Sequence, residues 1–100
     1  LVKRGLRLGP GVYLNDGFFL DPAHCHLISI EEGAVLGPRV TVLAHDASSL
    51  MVIGMTRVQA VRIGRRAFVG AGSILLPGSE VGDTSILGAG SVLKDRVPPG

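Results

Sequence analysis

The chain has 100 residues, 46% of them apolar but only 4% aromatic, with 15 glycines, one cysteine and no tryptophan. That length allows one domain, expected to span residues 1–100, and the scarcity of rings excludes a core built on large aromatics. A net charge of +2 is too small to indicate a nucleic-acid-binding face, no apolar run is long enough to span a membrane, no signal peptide is visible, and the lone Cys25 excludes an internal disulfide.

Along the chain, branched apolar residues recur every sixth position. Leu8, Leu14 and Leu20 form a first run, and Ile30, Leu36 and Val42 a second. After a gap come Ile63, Val69, Leu75, Val81, Leu87 and Leu93 without interruption. An amphipathic helix needs spacings of three and four, and a long hairpin strand needs plain alternation. A six-residue period instead predicts short strands joined by corners, three sides closing a coil of about eighteen residues. Ile63 is then expected over Val81, Val69 over Leu87, and Leu75 over Leu93.

Four residues after each apolar position in the last run stands a small or β-branched one: Ala67, Ser73, Ser79, Ser85, Ser91 and Val97. These are expected to point inward where three walls converge. Gly64, Gly70, Gly82 and Gly88 follow the apolar residues directly and are expected to supply unusual backbone angles at the corners. Twenty-one residues separate Val42 from Ile63, three more than one coil, which places a protruding loop after residue 46, within Ala47 to Ala60. Arg62, Arg65 and Arg66 cluster as a solvated corner would. The chain starts at Leu1 and stops at Gly100, so native flanking residues are expected to be missing. A short solenoid has two open ends, which favours self-association. A cytoplasmic protein is the default expectation.

The segment Ile63–Val97 (IGRRAFVGAGSILLPGSEVGDTSILGAGSVLKDRV) resembles the hexapeptide-repeat acyltransferases. The likeness extends upstream through PRVTVLAHDASS (residues 38–49) to VYLNDGFFLD (residues 12–21). The combination of a His-Asp element before a loop with IG…VGAGS…PGS…GAGSV resembles the sugar O-acetyltransferase branch, which includes galactoside and maltose acetyltransferases. This resemblance implies an all-β, left-handed parallel β-helix, a homotrimer, acetyl-CoA as donor, a sugar or related alcohol as acceptor, and sites in grooves between subunits. The spacing alone does not give the handedness.

Within that frame His45 is the expected general base. It ends the strand-like VTVLA run where the period breaks. An alcohol attacks a thioester better as its proton leaves, and imidazole titrates near working pH. Asp46 is a second-choice orienting partner, because neighbouring strand residues point to opposite sides. The resemblance implies acceptor contacts for Asn15 and Asp21, although Asn-Asp-Gly at 15–17 is equally a turn signal. It implies small residues beside the pantetheine arm at Ala71 and Ala89, and cationic contacts to CoA phosphates at Lys94 and Arg96. His24 and His26 share a strand face and lie about one coil before His45. Three histidines raise a zinc-dependent carbonic-anhydrase-like enzyme on the same fold as an alternative, and a non-catalytic trimeric β-helix as another. The spacing does not match that enzyme's ligands, so no metal is expected.

Overall fold

The computed structural model describes residues 4–46 and 57–100, with backbone alone at 46 and 57. The six-residue period becomes three parallel sheets that wrap one interior. The first sheet stacks β1 (Arg7–Leu8), β4 (Ile28–Ile30), β9 (Val61–Ile63), β12 (Glu80–Val81) and β15 (Arg96–Val97). The second stacks β2 (Tyr13–Leu14), β5 (Val35–Leu36), β10 (Phe68–Val69) and β13 (Ile86–Leu87). The third stacks β3 (Phe19–Leu20), β6 (Thr41–Val42), β11 (Ile74–Leu75) and β14 (Val92–Leu93). This is the left-handed parallel β-helix that the resemblance implies.

The stacking is the expected one: Ile63 over Val81, Val69 over Leu87, Leu75 over Leu93. Leu36, Val42, Ile63, Val69, Leu75 and Val81 are fully buried, and burial of each such side chain stabilises by roughly 1.5–3 kcal/mol. Leu8, in the first coil, keeps 41% of its surface exposed because, among the described residues, no strand covers β1.

Three departures from the sequence reading have clear causes. Ile63 does not begin a coil of its own: it pairs with Ile30, and Leu75 pairs with Val42. The Val42–Ile63 interval is therefore one six-residue side plus a long excursion, rather than a coil plus three residues. The chain leaves the stack through β7 (His45–Asp46), which pairs antiparallel with β8 (Arg57–Val58). The protruding loop thus has described stems, while residues 47–56 lie outside the described residues. Val97 takes a place in the large apolar column, paired with Val81, not in the small inner one.

The glycines divide into two jobs. Gly70 has no unusual backbone angle, but a Cβ there would sit 2.4 Å from the Ala89 nitrogen and 2.6 Å from its Cα, so coil-to-coil approach demands glycine. The left-handed corner falls two residues later, at Gly72 (φ 71°), and Arg39, Arg66 and Thr84 adopt it too. For those three the conformation costs about 1–2 kcal/mol each.

All breaks in the period fall on one corner, where the third sheet returns to the first. Four extra residues enter between β3 and β4, holding a 3-10 turn at Cys25–Leu27. The long excursion enters one coil later between β6 and β9, and the last coil is shortened between β14 and β15. The repeats are uniform elsewhere, so this corner is where side chains can differ from coil to coil.

Candidate active site

Asp21 follows β3 directly, at the start of the irregular corner. Its side chain is buried, at 0% exposure for the residue, inside coils filled with hydrocarbon. A buried carboxylate needs partners. Ala44 N donates to Oδ2 at 3.0 Å and Ala23 N donates to Oδ1 at 3.2 Å. His45 Nδ1 lies 2.5 Å from Oδ2. Burial by itself raises the Asp21 carboxyl, but the hydrogen bonds from His45 and the Ala44 amide, with the two nearby imidazoles, hold it below its ordinary 3.8.

His45 is placed by the departure of β7 from the stack one coil above Asp21. Its side chain remains 39% exposed, so one ring nitrogen is tied to a carboxylate while the ring still reaches solvent. That arrangement fixes the tautomer: a proton on Nδ1, donated to Asp21, leaves the Nε2 lone pair free to accept another. A carboxylate–imidazole pair of this kind can take a proton from a hydroxyl and return it later. The orienting carboxylate is Asp21, twenty-four residues before the histidine. The side chain of Asp46, its sequence neighbour, lies outside the described residues.

The buried place of Asp21 corrects the expected sugar contact, because both carboxylate oxygens face protein donors. His24 also enters the corner, its ring centroid 4.8 Å from that of His45 and its Nδ1 3.7 Å from Asp21 Oδ2. His26 is exposed and its ring stands 6.2 Å from that of His24, so the three-histidine set weighed from sequence does not assemble. Asp21 stands where the third imidazole would.

The remaining candidates lie elsewhere. Asn15 heads the column of Gly37, Gly70 and Gly88 at the corner between the second and third sheets, and its Nδ2 donates to Leu36 O at 2.8 Å. Ala71 and Ala89 stack on the same corner, with Gly90 N donating to Ala71 O. Lys94 is exposed on the irregular corner two coils above His45, and Arg96 is exposed on the outer face of the first sheet, in register with Glu80. A single chain therefore joins His45 to Asp21 and His24, but not to Asn15, Ala71 or Ala89.

A concavity of about 570 Å³ opens between the first and second sheets and is lined by Arg7, Ser29, Glu31, Glu32 and Arg65 among others. It holds no imidazole or thiol and lies at a different corner from His45. Nearby, Arg62 binds Glu31, Glu80 and Asp83 at 2.7–3.0 Å, so these charges largely satisfy one another.

The sequence brought His24 near His45 but missed Asp21 as the carboxylate that both rings face. The available signal was that Asp21, His24 and His45 flank the two breaks in the period, which the register stacks on one corner.

Residues 60–95 match the bacterial transferase hexapeptide family (six repeats). The chain is 33% identical over 73 residues to the protein named "Putative acetyltransferase YvoF" of Bacillus subtilis (strain 168); the match covers 73% of this chain and 40% of that protein. It is 32% identical over 98 residues to the galactoside O-acetyltransferase of Lactococcus lactis, covering 95% and 46%. The galactoside O-acetyltransferase of Escherichia coli is 28% identical over 97 residues, covering 94% and 47%. The chain thus spans less than half the length of these curated relatives.

Proposed function

On a chain that carries the hexapeptide repeat of the bacterial transferases over residues 60–95, we propose an acetyltransferase site that moves the acetyl group of acetyl-CoA to a hydroxyl of a sugar or related alcohol. The observation that carries this reading is the 2.5 Å contact between buried Asp21 and half-exposed His45. Asp21 holds the Nδ1 proton, so Nε2 accepts the proton of the attacking hydroxyl. The hydroxyl oxygen forms the new bond to the acetyl carbon. The sulfur of CoA leaves, and the proton held on Nε2 goes to the thiolate. The galactoside O-acetyltransferase names of two relatives support a sugar acceptor.

The working unit in this proposal is a homotrimer. Two outer faces are apolar: Tyr13, Phe68 and Ile86 line up on the second sheet, and Phe19 and Val92 on the third, each 43–73% exposed. The first sheet instead presents Arg7, Ser29, Arg62, Glu80 and Arg96. Contiguous apolar faces of this kind favour burial against another protein surface. Packing of the two faces against copies of the chain brings the corner of Asn15, Ala71 and Ala89 on one copy beside His45 of another. Asn15 then contacts the acceptor, the two alanines leave room for the pantetheine arm, and Lys94 and Arg96 meet the CoA phosphates.

The test is acetyl transfer to a panel of sugars, with and without His45→Ala. Wild type should transfer the group, and His45→Ala should lose about a hundredfold to ten-thousandfold in kcat while still gaining thermal stability from acetyl-CoA. An equally active variant would remove His45 from the chemistry. The non-catalytic reading would require a protein whose melting temperature ignores acetyl-CoA.

A further inference from the structure

His24 Nδ1 is shielded from solvent and has no hydrogen-bond partner. It faces Asp21 Oδ2 at 3.7 Å, too far for a hydrogen bond. A shielded ring nitrogen left this way costs stability. The carboxylate oxygen it faces is the same one that His45 Nδ1 approaches. One ligand atom from each of the three side chains lies within 4.8 Å of the others. Two imidazole nitrogens and one carboxylate oxygen are the donors that suit a first-row divalent ion, zinc above all. Zinc distances of about 2.0–2.2 Å place tetrahedral ligand atoms roughly 3.3 Å apart. The 3.7 Å pair is within about 0.4 Å of that span, the His45 ring needs to back away from Oδ2 by less than about 1 Å, and the two imidazole nitrogens, within 4.8 Å of each other, need to close by about 1.5 Å or less.

The sequence builds this cluster by its irregularities. The residues inserted between β3 and β4 carry His24 back over Asp21, and the exit of β7 hangs His45 above both. Cys25 turns away, its thiol set toward Arg4 O at 3.5 Å, and exposed His26 stands outside the cluster.

We propose that Asp21 Oδ2, His24 Nδ1 and His45 Nδ1 form a binding site for one divalent transition-metal ion, and that filling it with zinc switches acetyl transfer off. Zinc would take the Nδ1 lone pair of His45, and the single ring proton would sit on Nε2. No net proton leaves a neutral ring, but Nε2 can no longer accept one from the acceptor hydroxyl. The inhibitory half rests on the reading of His45 as the base; the binding half does not.

The experiment titrates zinc chloride into chelator-stripped protein by calorimetry, for wild type, His24→Gln and His26→Gln, with melting curves to confirm that each is folded. Wild type and His26→Gln should bind one zinc per chain, and His24→Gln should bind at least about tenfold more weakly. Cobalt(II) added to wild type should give the intense visible absorption of a tetrahedral site, a readout that needs no variant. Zinc binding that His24→Gln leaves unchanged, or a cobalt spectrum no stronger than that of the hydrated ion, overturns the site. Binding that His24→Gln weakens, with acetyl transfer indifferent to zinc, keeps the site and overturns His45 as the base.

Discussion

The first two coils and the last three share one strand register but differ in what fills them. In the early coils the inner positions hold Leu6, Ile28, Val40 and Ala34, all buried hydrocarbon. In the later coils they begin with Val61 and Ala67 and then turn to Ser73, Ser79 and Ser85. Two of these satisfy their hydroxyls on corner carbonyls: Ser73 donates to Gly88 O and Ser85 to Pro98 O. The later coils repeat every six residues over six consecutive sides, whereas the early ones are broken twice at one corner. Regular repetition makes a rod in which any position resembles the one above it. The proposed chemistry sits where repetition fails, and there a single carboxylate is buried in the more apolar half, held by two amides and an imidazole.

The largest separation between the halves should come from Asp21→Asn. An amide that donates to His45 Nδ1 would put the ring proton on Nε2, so kcat should fall on the order of a hundredfold or more, close to the loss in His45→Ala. Loss of the charge-assisted hydrogen bonds should also cost about 1.5–3 kcal/mol at neutral pH. The sign of the pH dependence follows from the lowered carboxyl. Its contribution is fully present above the ordinary value of 3.8 and is lost as pH falls through the lower folded value. Denaturation curves of wild type and variant should therefore converge only in acid below about pH 4; a constant gap through that range would mean that Asp21 does not titrate as the hydrogen bonds require.

Gly70→Ala tests the regular half. Its Cβ would press on the Ala89 backbone, which cannot rotate away, so unfolding free energy should drop by about 3 kcal/mol. The His45–Asp21 contact lies in other coils, so kcat at saturating acetyl-CoA should stay within about twofold if coils act as near neighbours only, while the KM for acetyl-CoA should rise, because Ala89 borders the proposed pantetheine channel. A large loss of kcat would show that strain travels along the rod.

Arg62→Met should do least. The guanidinium meets three carboxylates but keeps 34% of its side chain exposed, and solvent screening leaves about 1 kcal/mol or less. Added salt should shrink even that difference in urea melts.

Much of the scaffold could be read from the chain in advance. Ile63, Val69 and Leu75 announced their partners eighteen residues on, because a six-residue side repeated three times leaves no other stacking. The roles of the glycines were harder. Gly70 and Gly72 look alike in a sequence, yet one yields space to a neighbouring backbone and the other turns the corner. At the site, His45 stood out at the break in the period, but its partner did not. The resemblance puts Asp21 at the acceptor, and nothing local to the sequence shows that its side chain enters the core.

The sequence by itself determined the period, the strand stack, the family likeness and the place of His45 at the break, since each is written as a local spacing or a contiguous motif. Only the tertiary structure decided that insertions of different length fall on one corner and bring Asp21, His24 and His45 together. Contacts between residues about twenty apart depend on how many residues each corner absorbs. That count becomes definite only once every strand has found its hydrogen-bonded neighbour.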